Sequence, residues 1–215
     1  MTGRTDVVRE LVGAHGRTYA EEAGIRLRDT PQPLYQLLVL ALLLSARIRG
    51  SVAVRSAREL YDAGLRDPRR MAAADWQERV DALGRGGYRR YDERTATQLG
   101  DGAELVSARW GGDLRRMREE ADGDVGALRA LLQEVPGIGP AGAGIFVREA
   151  QRVWPEFGPY LDAKALDGAQ RLGLPKDPAR IVELAGDTEP AVLAAALVRA
   201  ALDKDVVEDS LRRAS

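Results

Sequence analysis

The stretch Leu128–Val147, LRALLQEVPGIGPAGAGIFV, decides the fold. Val125, Leu128, Leu131, Leu132 and Val135 recur at three- and four-residue steps, the pattern of an amphipathic helix, and Asp124 is placed to cap its start. Pro136 forbids that helix from continuing. Gly137 and Gly139 permit backbone angles closed to other residues, and Pro140 suits the first position of a new helix. Ala141, Ile145 and Phe146 carry the second helix onward, so two helices are joined by a very short hairpin.

The chemistry open to such a hairpin lies in its backbone. Where side chains are absent, main-chain N–H groups at a helix N-terminus can approach an anion, and both the unpaired donors and the helix dipole favour a phosphate. Contact of that kind fits a nucleic-acid backbone and reads no base sequence. The same residues would also make an ordinary tight turn between packed helices.

Working outward, Asp29-Thr30-Pro31-Gln32-Pro33 is a stop followed by a helix start. The leucine-rich segment it launches, Leu34 to Leu44, is interrupted only by Gln36; it is too short to span a bilayer and reads as a buried central helix. Val7, Val8, Leu11, Val12, His15 and Tyr19 predict one amphipathic helix ending near Gly24, with His15, the only histidine, in a packing role. Further helices are predicted over Val52–Tyr61, around Trp76, Val80 and Leu83, over Thr95–Val106 and at Leu114–Met117. Another begins at Asp162, and two more fill the last forty residues. No segment alternates with period two over any length, so the fold class is all-α.

Val135-Pro136-Gly137-Ile138-Gly139, followed downstream by Tyr160-Leu161-Asp162, resembles the helix-hairpin-helix DNA glycosylases of the endonuclease III superfamily. Leu43-Leu44-Ser45-Ala46-Arg47 and Leu60-Tyr61 are similar to that family's central helix and its successor, and the resemblance runs from about Pro33 to Leu174. It implies two helical lobes flanking a cleft. Residues 30–153 would form the central lobe with the hairpin, and residues 1–29 and 154–215 the second lobe. Asp162 would face the cleft as the catalytic carboxylate, although aspartate there is also a good N-cap in its own right.

The family further implies DNA contacts at Gly137, Ile138, Gly139 and Ala141, and a monovalent cation against the main-chain carbonyls of Gln133, Val135 and Ile138. Arg47 matches the residue that fills the gap left by an extruded base. A second DNA-inserting loop would lie at Gly84–Tyr91, with Arg85, Gly87 and Tyr88. Glycine-rich backbone with cationic and stacking side chains suits a distorted duplex, and a surface turn is the alternative.

Departures from the family pattern narrow the chemistry. There are no cysteines, which excludes disulfides and a cysteine-ligated iron–sulfur cluster, so no cofactor is expected apart from that cation. Ala141 occupies the position of the lysine that makes bifunctional members cleave the strand. The chain holds only three lysines, Lys164, Lys176 and Lys204, of which Lys164 lies nearest Asp162. Adenine-specific members need a glutamate on the central helix, and the matching position is near Ala41, with no acid from Leu34 to Leu44.

A monofunctional base-excision repair glycosylase is therefore expected, hydrolysing the N-glycosidic bond of a flipped base in double-stranded DNA. A cationic alkylated purine, which leaves without protonation, comes first, and a mismatched or deaminated pyrimidine second. A noncatalytic helix-hairpin-helix DNA-binding protein is the alternative, and the balance of 32 basic against 33 acidic residues leans toward caution about DNA. That balance is uneven, since Arg47–Arg94 holds twelve arginines against eight acids, whereas Ile181–Ser215 holds four basic residues against seven acids. With neither a signal-peptide nor a transit-peptide pattern, a cytoplasmic monomer without a membrane partner is expected.

Overall fold

The computed structural model describes residues 3–215, so the first two residues of the segment 1–29 lie outside it, and every regular element among the described residues is helical. The chain begins with α1 (Arg4–His15) and α2 (Tyr19–Glu22), where apolar spacing alone predicts one continuous helix. Capping makes the break. Thr18 Oγ1 accepts the Glu21 N–H at 3.2 Å and the Glu21 carboxylate accepts the Thr18 N–H at 3.2 Å, a reciprocal pair that starts a new helix.

Thr30 and Pro31 open α3 (Pro31–Leu44), in which every residue from Leu37 to Leu43 is buried. A helix apolar on all faces is stable only when surrounded, and α3 accordingly packs against α4 (Gly50–Asp62) and two further helices introduced below. Asp67 and Asp75 cap α5 (Pro68–Ala73) and α6 (Trp76–Arg85), which lie against the long α7 (Asp92–Trp110). Arg79 ties these together by donating to the carbonyls of Met71, Ala74 and Ala96. One arginine of the basic block thus belongs to the framework.

α8 (Leu114–Ala121) and α9 (Val125–Gln133) follow, and Asp124 caps α9 by accepting the Ala127 N–H at 2.8 Å. α10 (Pro140–Ala150) returns along α3 and also meets one helix of the C-terminal segment, while α8 touches α3. After a 3-10 turn at Pro155–Phe157 comes α11 (Ala163–Arg171). Beyond it the chain makes α12 (Pro178–Ala185), α13 (Pro190–Leu202) and α14 (Lys204–Arg213). These are three helices where the apolar pattern of the last forty residues predicts two. Asp203 caps α14 through the Asp205 N–H, and Gly186 at φ +56° ends α12.

α1 packs against α12, α13 and α14, where His15 Nε2 lies 3.3 Å from Asp209 Oδ2. α11 runs along α13 so closely that a Cβ on Gly168 would fall 1.8 Å from the Leu197 carbonyl oxygen. Only glycine fits that crossing, which fixes the start of α11, and with it Asp162, against the α13 wall. On the other side, the Glu149 carboxylate of α10 accepts the N–H groups of Tyr19 and Ala20, holding the start of α2. Burial pushes the Glu149 carboxyl above its usual range. One connected apolar core runs through the helices.

Candidate nucleic-acid interface and cleft

The two helical ends and the turn between them behave differently at their two glycines. Gly137 sits at φ +88°, a left-handed conformation, and a Cβ there would lie 2.9 Å from Leu42 Cδ1 and 3.0 Å from Gln98. Gly139 corrects the expectation made for it. Its φ of −93° and ψ of −173° are open to any residue, and a Cβ would meet nothing within 4 Å. The fold requires glycine at 137; at 139 it merely leaves space in front of the α10 N-terminus.

Backbone donors are left over there. Among the described residues the N–H groups of Gly137, Gly139, Ala141 and Gly142 have no main-chain acceptor, as befits a turn and the first turn of a helix. Ile138 is a second correction. Its N–H is committed to the Val135 carbonyl at 3.0 Å and its side chain is buried, so it braces the turn and offers no donor outward. The Val135 carbonyl keeps one lone pair, and the Gln133 side chain turns back to the Arg129 carbonyl.

The start of α10, just past the hairpin, borders a cavity of about 740 Å³ whose walls include Ser45 and Ala46 after α3, Pro140 and Ala141, Tyr160, and Asp162. The end of α3 is brought there by close packing, since a Cβ on Gly142 would lie 3.5 Å from Ser45 Cβ. Ala141 is exposed in the wall, and its methyl offers no nucleophile. Ala41, by contrast, is wholly buried within α3.

Asp162 caps α11 with one oxygen, which accepts the Ala165 N–H at 2.9 Å. Its other oxygen accepts from Arg148 Nη1 at 2.5 Å. The Asp162 side chain is 14% exposed and that of Arg148 3%, so this ion pair is largely removed from water. Separating such a pair leaves an uncompensated buried charge, whereas the intact pair adds little net stability because both groups lose hydration. Tyr160 lies beside it, its hydroxyl pushed up chiefly by burial.

Arg148 escapes a search for motifs. It is followed by Glu149 inside the otherwise apolar run Ile145–Ala150, and two adjacent charges in a helix buried on nearly all sides are the signal that could have found it. Arg129 of α9 also lines the cavity. The Nε atoms of Arg129 and Arg148 are buried without an acceptor, and each such donor costs about 1–3 kcal/mol.

Lys164 lines the same cavity, half exposed, with its ammonium 3.1 Å from Asp167 Oδ2. Arg47 is exposed in the bend after α3, at the rim and outside the wall. The second loop is a correction. Tyr88 is 1% exposed and its hydroxyl accepts from Thr95 Oγ1 at 3.2 Å, so the ring is packed into the core and cannot stack on a base. Arg85 belongs to the last turn of α6 and pairs with Glu59 at 3.0 Å; Gly87, at φ +90°, ends that helix. These residues form a helix terminus instead of a flexible inserting loop.

Fold and site together define an all-α protein in which a helix–turn–helix element leads into a cleft holding two paired carboxylates, Asp162 with Arg148 and Asp167 with Lys164. No protein-family model matches the sequence, and no curated protein does. Among solved structures, a trapped endonuclease III–DNA covalent intermediate, an estranged-adenine complex, is similar at 16% identity and a TM-score of 0.47, over 75% of this chain and 71% of that one. At that identity and score it assigns this chain neither an activity nor a site. No helix among the described residues is long and apolar enough to cross a membrane.

Proposed function

We propose that the protein is a monofunctional DNA N-glycosylase of base-excision repair, acting as a monomer on double-stranded DNA. The observation that carries it is the meeting of the α10 N-terminus that follows the hairpin, the α3 terminus and Asp162 in one cavity. Free main-chain donors at Gly137, Gly139 and Ala141 hold the duplex backbone, and Arg47 occupies the gap when a base leaves the stack. The extruded nucleotide enters the cavity, and Asp162 stabilises the sugar cation or orients the attacking water. Main-chain carbonyls of Gln133, Val135 and Ile138, all neutral oxygen donors, suit a monovalent cation; when bound, it would add positive charge beside the phosphates.

The lining bears on the leaving base. Three cationic side chains, Arg129, Arg148 and Lys164, face two anionic ones, Asp162 and Asp167. The single excess positive charge is one that a phosphate of the bound DNA would cancel, so the order expected from sequence is kept, a cationic alkylated purine first and a neutral mismatched or deaminated pyrimidine second. A panel of single-lesion duplexes assayed for abasic-site formation tests this, with Asp162→Asn as control. The variant should lose turnover and keep DNA affinity.

The occupation of both Asp162 oxygens favours a second reading, a noncatalytic DNA-binding protein in which Asp162 is only a cap and a counter-ion. Tight duplex binding with no abasic site formed on any lesion would select it.

A further inference from the structure

Two guanidinium groups in the cleft have no part in the proposed hydrolysis. Arg129 reaches the cavity from α9 and has no acidic partner among the described residues, while its Nε is buried without an acceptor. Some arginines elsewhere are paired, Arg109 with Glu120 and Glu134 and Arg118 with Asp29 and Glu156, so what distinguishes Arg129 is its buried Nε and not the missing carboxylate alone. Arg148, 3% exposed, spends Nη1 on Asp162 and leaves Nε without an acceptor. Acceptors in the cavity are scarce, because both oxygens of Asp162 are occupied and Asp167 holds Lys164.

We propose that the cavity carries a phosphate subsite formed by Arg129 and Arg148, separate from the hairpin's main-chain donors, and occupied by a phosphodiester beside the extruded nucleotide. A guanidinium presents planar, paired donors that match two phosphate oxygens at once. The anion also compensates the charge of Arg129, which has no acidic partner while Arg148 already has Asp162, and a neutral base carbonyl does not do this. DNA as the carrier of that phosphate rests on the proposed function; the anion site itself rests only on the two arginines.

Two measurements on the full chain separate these. In the first, inorganic phosphate raises the melting temperature of the wild-type protein and has no effect on Arg129→Gln, which loses no internal partner and is expected to fold. In the second, a duplex carrying a tetrahydrofuran abasic analogue, which cannot be hydrolysed, binds Arg129→Gln about tenfold more weakly, and the log–log salt slope falls by about one. An uncharged methylphosphonate at the phosphodiester flanking the analogue then weakens wild-type binding more than it weakens Arg129→Gln, which retains only Arg148. Arg148→Lys, which keeps a charge opposite Asp162 but loses the fork, weakens binding in the same duplex-dependent way. Phosphate stabilisation confined to the wild type, together with no duplex binding, would keep the subsite and remove DNA as its source. Equal phosphate stabilisation of wild type and Arg129→Gln, or additive losses from Arg129→Gln and the methylphosphonate, would overturn the subsite even if base excision is observed.

Discussion

Arg148 Nη1 lies 2.5 Å from Asp162 Oδ2, so the carboxylate expected to face a developing sugar cation already faces a guanidinium. The pair is held from both sides, with Asp162 also capping α11 and Arg148 seated in the buried middle of α10. Its net charge is close to zero. Electrostatic help for a departing base is therefore smaller than a free carboxylate would give, unless an incoming phosphate draws Arg148 away.

The two hairpin glycines should separate folding from binding. Gly137→Ala forces a side chain into the left-handed region and against Leu42, and is expected to cost about 1–3 kcal/mol in urea unfolding. Gly139→Val meets open space in an ordinary conformation, so stability should change by no more than about 0.5 kcal/mol. Duplex affinity should nonetheless fall for lesion and intact DNA alike, because the added side chain blocks the donors at the α10 N-terminus. Unchanged affinity in Gly139→Val would take the hairpin out of the interface.

Arg47 and Tyr88 should now behave oppositely. Arg47→Ala is expected to weaken binding to lesion-containing DNA more than to intact DNA, since a wedge gains only after a base has left the stack. Tyr88→Phe removes the hydroxyl that Thr95 donates to and should cost about 1 kcal/mol of stability with no change in DNA binding. A DNA-binding loss in Tyr88→Phe at unchanged stability would return that loop to the interface.

The product should be an uncut strand bearing an abasic site, cleaved only by hot alkali. Ala141 has no amine, and the Lys164 ammonium is engaged with Asp167, so borohydride should trap no covalent complex. A robust adduct that vanished in Lys164→Ala would reassign the protein as a lyase.

Glu149 gives a pH signature independent of DNA. Burial raises its carboxyl above the ordinary 4.5, so the folded chain holds this proton more tightly than the unfolded chain. Its contribution is complete at pH values below the unfolded value and is lost as pH climbs through the folded one. The stability of wild type minus that of Glu149→Gln should accordingly shrink as pH rises above the ordinary carboxylate range. A difference that widened with rising pH would mean that the Tyr19 and Ala20 N–H groups outweigh desolvation.

Local signals in the chain determined a good deal. The apolar periods, the aspartate caps at Asp124 and Asp162, and the proline–glycine punctuation at Pro136–Pro140 suffice for an all-α chain with a helix–turn–helix element, because capping and backbone restriction act within a few residues. Even the burial of α3 follows from a helix with no polar face. Where two local tendencies competed, as at Gly16–Thr18 and around Gly186, apolar spacing overlooked the cap that won.

Only the tertiary structure decided which side chains share the cleft. Arg129, Arg148 and Asp162 are far apart in sequence, and the tight crossing of α11 on α13 at Gly168 together with the return of α10 along α3 brings them to one cavity. The fate of Tyr88 was likewise invisible, because a tyrosine among glycines and arginines looks the same whether it points to DNA or into a core. Whether an arginine is a solvated charge, a framework tie like Arg79, or the buried partner of Asp162 depends on which acceptors the packed neighbours present, and no periodicity along the chain encodes that.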